Sequence, residues 1–304
     1  MLRRQLLRYS NAHLRSQLSK KEASTFYAKD LIIKENQNPP SLPENFHSDD
    51  YLMNLPFGVL PTPHMLHIDY DQATGWGKPY IEEFKNLSIP AASSALHYGL
   101  QCFEGMKAYK DDADKIWLFR PEDNFNRINK SSERLAMPSF PKSYFFAGLK
   151  ALLKIDSEWI KKGLGNSLYV RPFVIATDNA ISASPSQSYK FMIICSPAQS
   201  YYSGEVRVLI SEDYSRAADG GIGYAKAAGN YAGQFFPTNL AKEKGYHLFI
   251  DTVGPFPASR AGNKYFHCAV DDFTDYTWVY FTPRINTMAV FVEQLLTTMK
   301  GKQI

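Results

Sequence analysis

A chain of 304 residues, 44% hydrophobic and 21% charged, is long enough to bury one large core or two smaller ones, and none of its apolar runs approaches the roughly 18 residues that would span a bilayer. Its net charge of +4 is spread over 34 basic and 30 acidic residues without a basic stripe, so nucleic acid is not expected as a partner and a small anionic ligand suits the balance better. Three cysteines, Cys102, Cys195 and Cys268, stand far apart without metal or redox spacing, and His267 beside Cys268 lacks a second ligand pair, so reduced thiols are expected and no metal site.

The chain starts with Arg3, Arg4, Arg8, Arg15, Lys20 and Lys21 among leucines and serines, with no acid before Glu22. That composition predicts a mitochondrial transit peptide over residues 1–25 and a mitochondrial matrix location; a basic tail on a cytoplasmic protein is the plainer alternative. Residues 65–70, 106–109 and 116–119 read as strands punctuated by Gly, Asp or Pro, and they predict an antiparallel sheet. Helices are expected over 121–137 and 142–161, where Leu149, Leu152, Leu153 and Trp159 fall near helical spacing. Two stronger strands follow at 167–177 and 190–195, the second expected to end at Ser196-Pro197. The polar, tyrosine-containing connection at 199–205 marks a domain boundary, with an α/β domain over 26–198 and a second domain over 206–304.

The second domain opens with a strand at 206–210, a glycine-rich loop at 219–231 and a helix over 232–244. Bare backbone amides and a helix N-terminus after a strand favour an anion such as phosphate. Lys226 lies inside that loop, where close backbone approach and partial desolvation suit an amine that must attack a carbonyl. By itself a lysine in a glycine loop is a surface residue; the surrounding words change its reading.

Those words are Ser93-Ser-Ala-Leu-His-Tyr-Gly-Leu-Gln-Cys-Phe-Glu-Gly-Met-Lys-Ala-Tyr109, Ile116-Trp-Leu-Phe-Arg-Pro121, Asn124-Phe-Asn-Arg-Ile128, Ser167-Leu-Tyr-Val-Arg-Pro172 and Lys226-Ala-Ala-Gly-Asn-Tyr231. In order and spacing, from about residue 31 to about residue 251, they resemble the branched-chain amino-acid aminotransferase family. The resemblance implies an α/β (α+β) protein of fold type IV, two α/β domains with the active site between them, and a homodimer whose second subunit completes that site. It implies pyridoxal 5'-phosphate as cofactor and a ping-pong transfer of the amino group of leucine, isoleucine or valine to 2-oxoglutarate. Lys226 would carry the cofactor as an imine and move the α-proton as general base. Arg127 would grip the cofactor phosphate, and Tyr231 would donate to its phenolic oxygen. Phe57, Tyr98, Phe103, Tyr169, Arg171 and Tyr201 match substrate-pocket positions, where aromatic walls accept an aliphatic side chain. Arg171, inside a strand bordered by apolar residues, needs a partner in any case, and a substrate carboxylate is the obvious one.

Past residue 251 the pattern departs from the family. The Glu-x-Gly-x-x-Asn element expected about 35 residues after the lysine, whose glutamate would pair with the pyridine nitrogen, is replaced by Ser259-Arg-Ala-Gly-Asn-Lys264, and the later phosphate-holding loops are missing. Residues 252–304 are therefore expected to be an altered stretch, from a shifted frame, another exon or a faulty gene model, that leaves the cofactor domain incomplete and weakens the electron sink. The alternative is a real divergent tail, with a strand over 275–282 and a helix over 286–301. Two rival functions stay open: a non-catalytic dimerising paralogue, and another fold type IV enzyme such as a D-amino-acid aminotransferase.

Overall fold

The computed structural model describes residues 31–48, 51–199, 207–211, 213–214, 216, 220–251, 265–270 and 277–282. The residues of the expected transit peptide, Tyr201 and most of the expected interdomain connection, the segment 259–264 and the expected helix over 286–301 lie outside the described residues.

Short runs of β-branched and aromatic residues form a nine-stranded sheet, antiparallel as expected except at one edge. In chain order the strands are β1 (Ile32–Ile33), β2 (His64–Asp71), β3 (Gly75–Trp76), β4 (Tyr80–Glu83), β5 (Gln101–Phe103), β6 (Met106–Lys110), β7 (Ile116–Leu118), β8 (Ser167–Ala176) and β9 (Ser188–Ala198). Their spatial order is β1-β4-β2-β9-β8-β6-β7, with β3 added to β2, while β5 pairs with β8 beyond the end of β6. The parallel pair is β1 with β4. Later in the chain β10 (Val208–Ser211) pairs in parallel with β11 (Leu248–Asp251), and β12 (Tyr265–Val270) pairs antiparallel with β13 (Thr277–Thr282).

Six helices are described: α1 (Tyr51–Asn54), α2 (Ser94–Tyr98), α3 (Pro121–Arg134), α4 (Lys142–Ile155), α5 (Gly229–Ala232) and α6 (Phe235–Glu243). Helix α3 starts as its sequence dictates: Pro121 occupies the first position, where no amide partner is needed, and Glu122 and Asp123 face the positive end of the helix dipole. On α4 the fully buried Phe145, Leu149 and Leu152 recur at i, i+4 and i+7 and share one core with Leu66 and Ile68 of β2 and Phe191 and Ile193 of β9, the rings of Phe145 and Phe191 lying 6.0 Å apart. Each such side chain contributes roughly 1.5–3 kcal/mol relative to an exposed one. Gly148 lets the helix lie this close, since a Cβ there would fall 2.5 Å from Leu66 Cδ2.

Among the boundaries that differ from the sequence expectation, two do so for a nonlocal reason and one for a local one. Helix α4 stops at Ile155 rather than 161, because Asp156 turns inward: its carboxylate accepts from the His64 backbone amide at 3.3 Å and meets His64 Nδ1 at 2.6 Å. A single 3-10 turn, Ser157–Trp159, follows. Strand β9 continues through Pro197 to Ala198, because β8 pairs with it on one side while β2 leaves its other side after Ile193. The Cys195 carbonyl, pointing to that vacated side, accepts from Thr62 N; Pro197 shares its parity, so its missing N–H breaks no ladder bond. Last, the helix expected over 232–244 runs only from Phe235 to Glu243 as α6, since Ala232 ends α5 and a turn at Gly233-Gln234 separates the two; Pro237 sits in the first turn of α6 where it is tolerated.

Candidate active site

Alternation along β8 decides which side chains face the core. Leu168, Val170, Pro172 and Val174 are buried on one face, and the partly exposed Tyr169, Arg171 and Phe173 line the other. Strand β5 pairs with β8 in the register Phe103↔Phe173, and the residue after it, Glu104, keeps contact by donating its amide to Pro172 O at 2.8 Å. Phe103 therefore joins the open face, whereas Cys102 and Glu104 point to the buried one, toward α3.

Lys226 is brought to this face by backbone pairing. The segment around it docks on the free edge of β5: Phe103 N donates to Lys226 O at 3.1 Å, Ala228 N donates to Gln101 O at 3.0 Å, and Cys102 lies opposite Ala227 as an antiparallel bridge. On the other side Lys226 N donates to Ser131 Oγ of α3 at 2.9 Å. The loop also holds itself, with Asn230 Nδ2 donating to the carbonyls of Ile222 and Ala225 and Arg216 donating to Gly223 O. The lysine is thus fixed at its backbone, and its ammonium reaches the ring of Phe103, 5.2 Å from the centroid, and that of Tyr231 at 6.0 Å.

From Phe103 the contacts run on without a break. Its ring meets that of Tyr231 at 4.8 Å between centroids, and Arg171 Cζ stacks 4.6 Å from the same Phe103 centroid. Arg171 donates from Nε and Nη2 to the Tyr169 hydroxyl at 3.2 and 2.9 Å, and Tyr169 packs edge-on against Phe57 at 4.8 Å. No carboxylate among the described residues pairs with Arg171, so its charge is answered only by a phenol and two ring faces. Gly105 makes room for this arrangement, since a Cβ there would lie 2.9 Å from Tyr169 Cζ and closer still to the hydroxyl.

Arg127 stands one turn before Ser131 on α3 and forms a two-point ion pair with Glu104, its Nε donating to Oε1 and its Nη2 to Oε2 at 2.8 Å. Glu104 is fully buried and also accepts from Asn124 Nδ2 at 3.0 Å and from Gly105 N at 3.1 Å. Sequence reasoning assigned no role to Glu104, Asn124 or Ser131. The signal for Glu104 was present: it shares strand parity with Cys102 and Met106, so an isolated carboxylate was due to land on the core face and to need a cation.

Of the nine residues singled out, Lys226, Tyr231, Phe103, Arg171, Tyr169 and Phe57 form one contiguous group, while Arg127 pairs with Glu104 on the buried side of β5. Tyr98 does not: it ends α2 with 52% of its surface exposed, and its ring neighbour is His97. The reason is the left-handed Gly99 (φ 62°) that caps this short helix and turns the chain into β5, leaving Leu96 and Tyr98 outside. Tyr201 falls outside the described residues. Among those residues no group of His, Cys, Asp or Glu could hold a metal ion, and no helix is long and apolar enough to cross a membrane.

No family model matches the chain. Among curated proteins it is 38% identical over 231 residues to branched-chain-amino-acid transaminase 1 of Bacillus subtilis, covering 74% of this chain and 61% of that protein. A probable branched-chain-amino-acid aminotransferase of Staphylococcus aureus is 43% identical over 205 residues (66% and 57% of the two chains), and that of Dictyostelium discoideum is 40% identical over 220 residues (71% and 57%). The chain spans about three fifths of the length of these relatives. Among solved structures, the branched-chain amino-acid aminotransferase of Escherichia coli aligns at 20% identity with a TM-score of 0.48, over 69% of this chain and 70% of that one.

Proposed function

Because this chain is a relative of the branched-chain-amino-acid aminotransferases over about two thirds of its length, we propose that it is a pyridoxal-phosphate enzyme of fold type IV that moves the amino group of leucine, isoleucine or valine to 2-oxoglutarate. The observation that carries this reading is that one aromatic ring, Phe103, holds the Lys226 ammonium and the Arg171 guanidinium, at 5.2 and 4.6 Å from its centroid. An α-amino acid bears its amine and carboxylate on neighbouring carbons. Recognising it needs an amine-exchanging base and a carboxylate-binding cation about one ring apart, which is what that shared face supplies.

The donor set fits pyridoxal 5'-phosphate: an amine for its aldehyde, the Tyr231 hydroxyl for its phenolic oxygen and the Arg127 cation for its phosphate. When bound, the pyridinium ring withdraws electrons from the substrate α-carbon and makes its proton removable. The remaining work belongs to the protein. Lys226 Nζ, held by a backbone clamped between β5 and α3, takes and returns the α-proton. Arg171, already turned by the Tyr169 hydroxyl, binds the substrate carboxylate, and the rings of Phe57, Phe103 and Tyr169 exclude water around the aliphatic side chain. Tyr201 completes the substrate pocket in this reading, whereas Tyr98, exposed on α2, does not reach it within one chain.

We further propose a homodimer, supported by the exposed Leu96 and Tyr98 on α2, and import into the mitochondrial matrix directed by the basic, acid-free first 21 residues. The deciding experiment is an absorbance spectrum of the purified chain with pyridoxal 5'-phosphate beside a Lys226→Ala variant, followed by addition of leucine. A visible band that needs Lys226 and bleaches with leucine supports the transaminase; its absence from folded protein supports a non-catalytic paralogue. Substrate profiling with D-amino acids separates the remaining fold type IV alternative.

A further inference from the structure

Glu104 follows Phe103 in the chain but points to the opposite, buried face; it has no exposed surface, and four donors converge on it: Arg127 Nε and Nη2, Asn124 Nδ2 and Gly105 N. Such a set marks a fixed anion, since a buried carboxylate keeps its charge only where donors replace its water. Its partner differs in kind, because 44% of the Arg127 side chain remains exposed. One edge of the guanidinium is anchored in the interior while the side chain still reaches the surface. Both residues are tied to the lysine: Glu104 follows Phe103, whose amide holds Lys226 O, and Arg127 lies one helical turn before Ser131, whose hydroxyl holds Lys226 N.

We propose that Glu104 is the positioning residue for Arg127, fixing the plane of its guanidinium so that the fork meets the phosphate of the cofactor at a set distance from Lys226. This rests on the reading of Arg127 as the phosphate-binding residue. Two effects of Glu104 on an anion oppose each other, and their signs separate orientation from charge. As a neighbouring negative charge it lowers the potential at Arg127 and weakens phosphate binding. As a two-point anchor it removes the rotamer freedom that a free arginine would lose on binding and holds the fork in register. A carboxylate with no exposure and a two-point geometry serves alignment, so neutralising or shortening it weakens phosphate recognition even though the site becomes more positive.

The test compares two probes on the full chain, pyridoxal 5'-phosphate and pyridoxal, which differ only in the phosphate. The readout is the ratio of their dissociation constants, with thermal melting as the check on folding. In the wild type the ratio favours the phosphorylated probe; in Glu104→Gln it falls roughly tenfold, the loss expected of a misplaced charge-assisted pair. Glu104→Asp keeps the charge and loses the reach, and it falls likewise, so either variant that folds decides the matter. A merely structural role would lower the melting temperature and leave the ratio alone. A high wild-type ratio that Arg127→Gln abolishes and the Glu104 variants retain or increase overturns the proposal by itself. A wild-type ratio near one overturns the reading of Arg127 along with it.

Discussion

The Ser131 hydroxyl accepts the backbone amide of Lys226 at 2.9 Å across 95 residues of sequence. Beside it Ser132 meets the thiol of Cys102 at 3.4 Å, so two consecutive buried serines of α3 hold both members of the backbone pair on which the lysine rides. Ser131→Ala orphans a partly buried amide, and a loss of about 1–2 kcal/mol of stability is expected. Hydrogen exchange locates the effect: the Lys226 amide should exchange faster in the variant, while amides in β8 and β9 keep their protection. Equal acceleration everywhere would assign Ser131 to global stability alone.

Gly105→Ala should disturb the site through Tyr169. The new methyl lies 2.9 Å from Tyr169 Cζ, so the ring must move, and its hydroxyl leaves the two Arg171 donors. A cost of roughly 1–3 kcal/mol is expected for such overpacking. In a Tyr169→Ala background the same substitution should cost almost nothing, because the obstacle is gone. Denaturant melts of the four proteins give the coupling, and an unchanged cost would place the clash elsewhere.

Acid should weaken the fold through His67. Burial lowers its imidazole from 6.5 to about 4 against the smaller opposing pull of Glu82, while its ring stacks on Tyr80 at 5.0 Å. The native state binds the proton less readily than the unfolded chain, so the stabilisation is complete above pH 6.5 and drains away as pH falls toward 4. Its size is on the order of 3 kcal/mol at most. Burial raises the Asp156 carboxyl, which acts in the opposite sense over the acid range. The His67→Phe variant isolates the histidine: the wild-type curve of stability against pH should be steeper than the variant's between pH 6.5 and 4, and parallel curves would contradict the assignment.

Thiol labelling should report opening of the lysine segment. Burial pushes the Cys102 thiol up to about 11 and raises Cys195 as well, so both are protonated and shielded at pH 8. Alkylation of either in the native protein is expected to run at least ~100-fold slower than in urea. Because Cys102 faces Ala227 across the backbone bridge, Ser131→Ala should speed labelling of Cys102 more than that of Cys195. Equal acceleration at the two would mean that the segment does not open separately.

Local chemistry determined a large part of this protein in advance. Extended runs punctuated by Gly, Asp or Pro placed β2, β6, β8 and β9 to within a few residues, helix formers placed the start of α3 at Pro121, and the words around Lys226 pointed to aminotransferase chemistry. These are short-range properties, set by side-chain period, proline's missing amide and glycine's freedom, and a sequence displays them directly. Two-residue strands such as β1 and β3 carry no period to read and exist only because a neighbouring strand offers partners. Pairing between distant segments decided the rest. Whether Pro197 ends a strand depends on where β2 leaves its side, and whether Asp156 continues a helix depends on His64. Whether Glu104 matters depends on Arg127 arriving from α3, and Tyr98 faces outward because Gly99 turns the chain. A hydrogen bond or ion pair between residues 23 or 95 positions apart leaves no local trace, because each partner alone looks like an ordinary serine, arginine or glutamate.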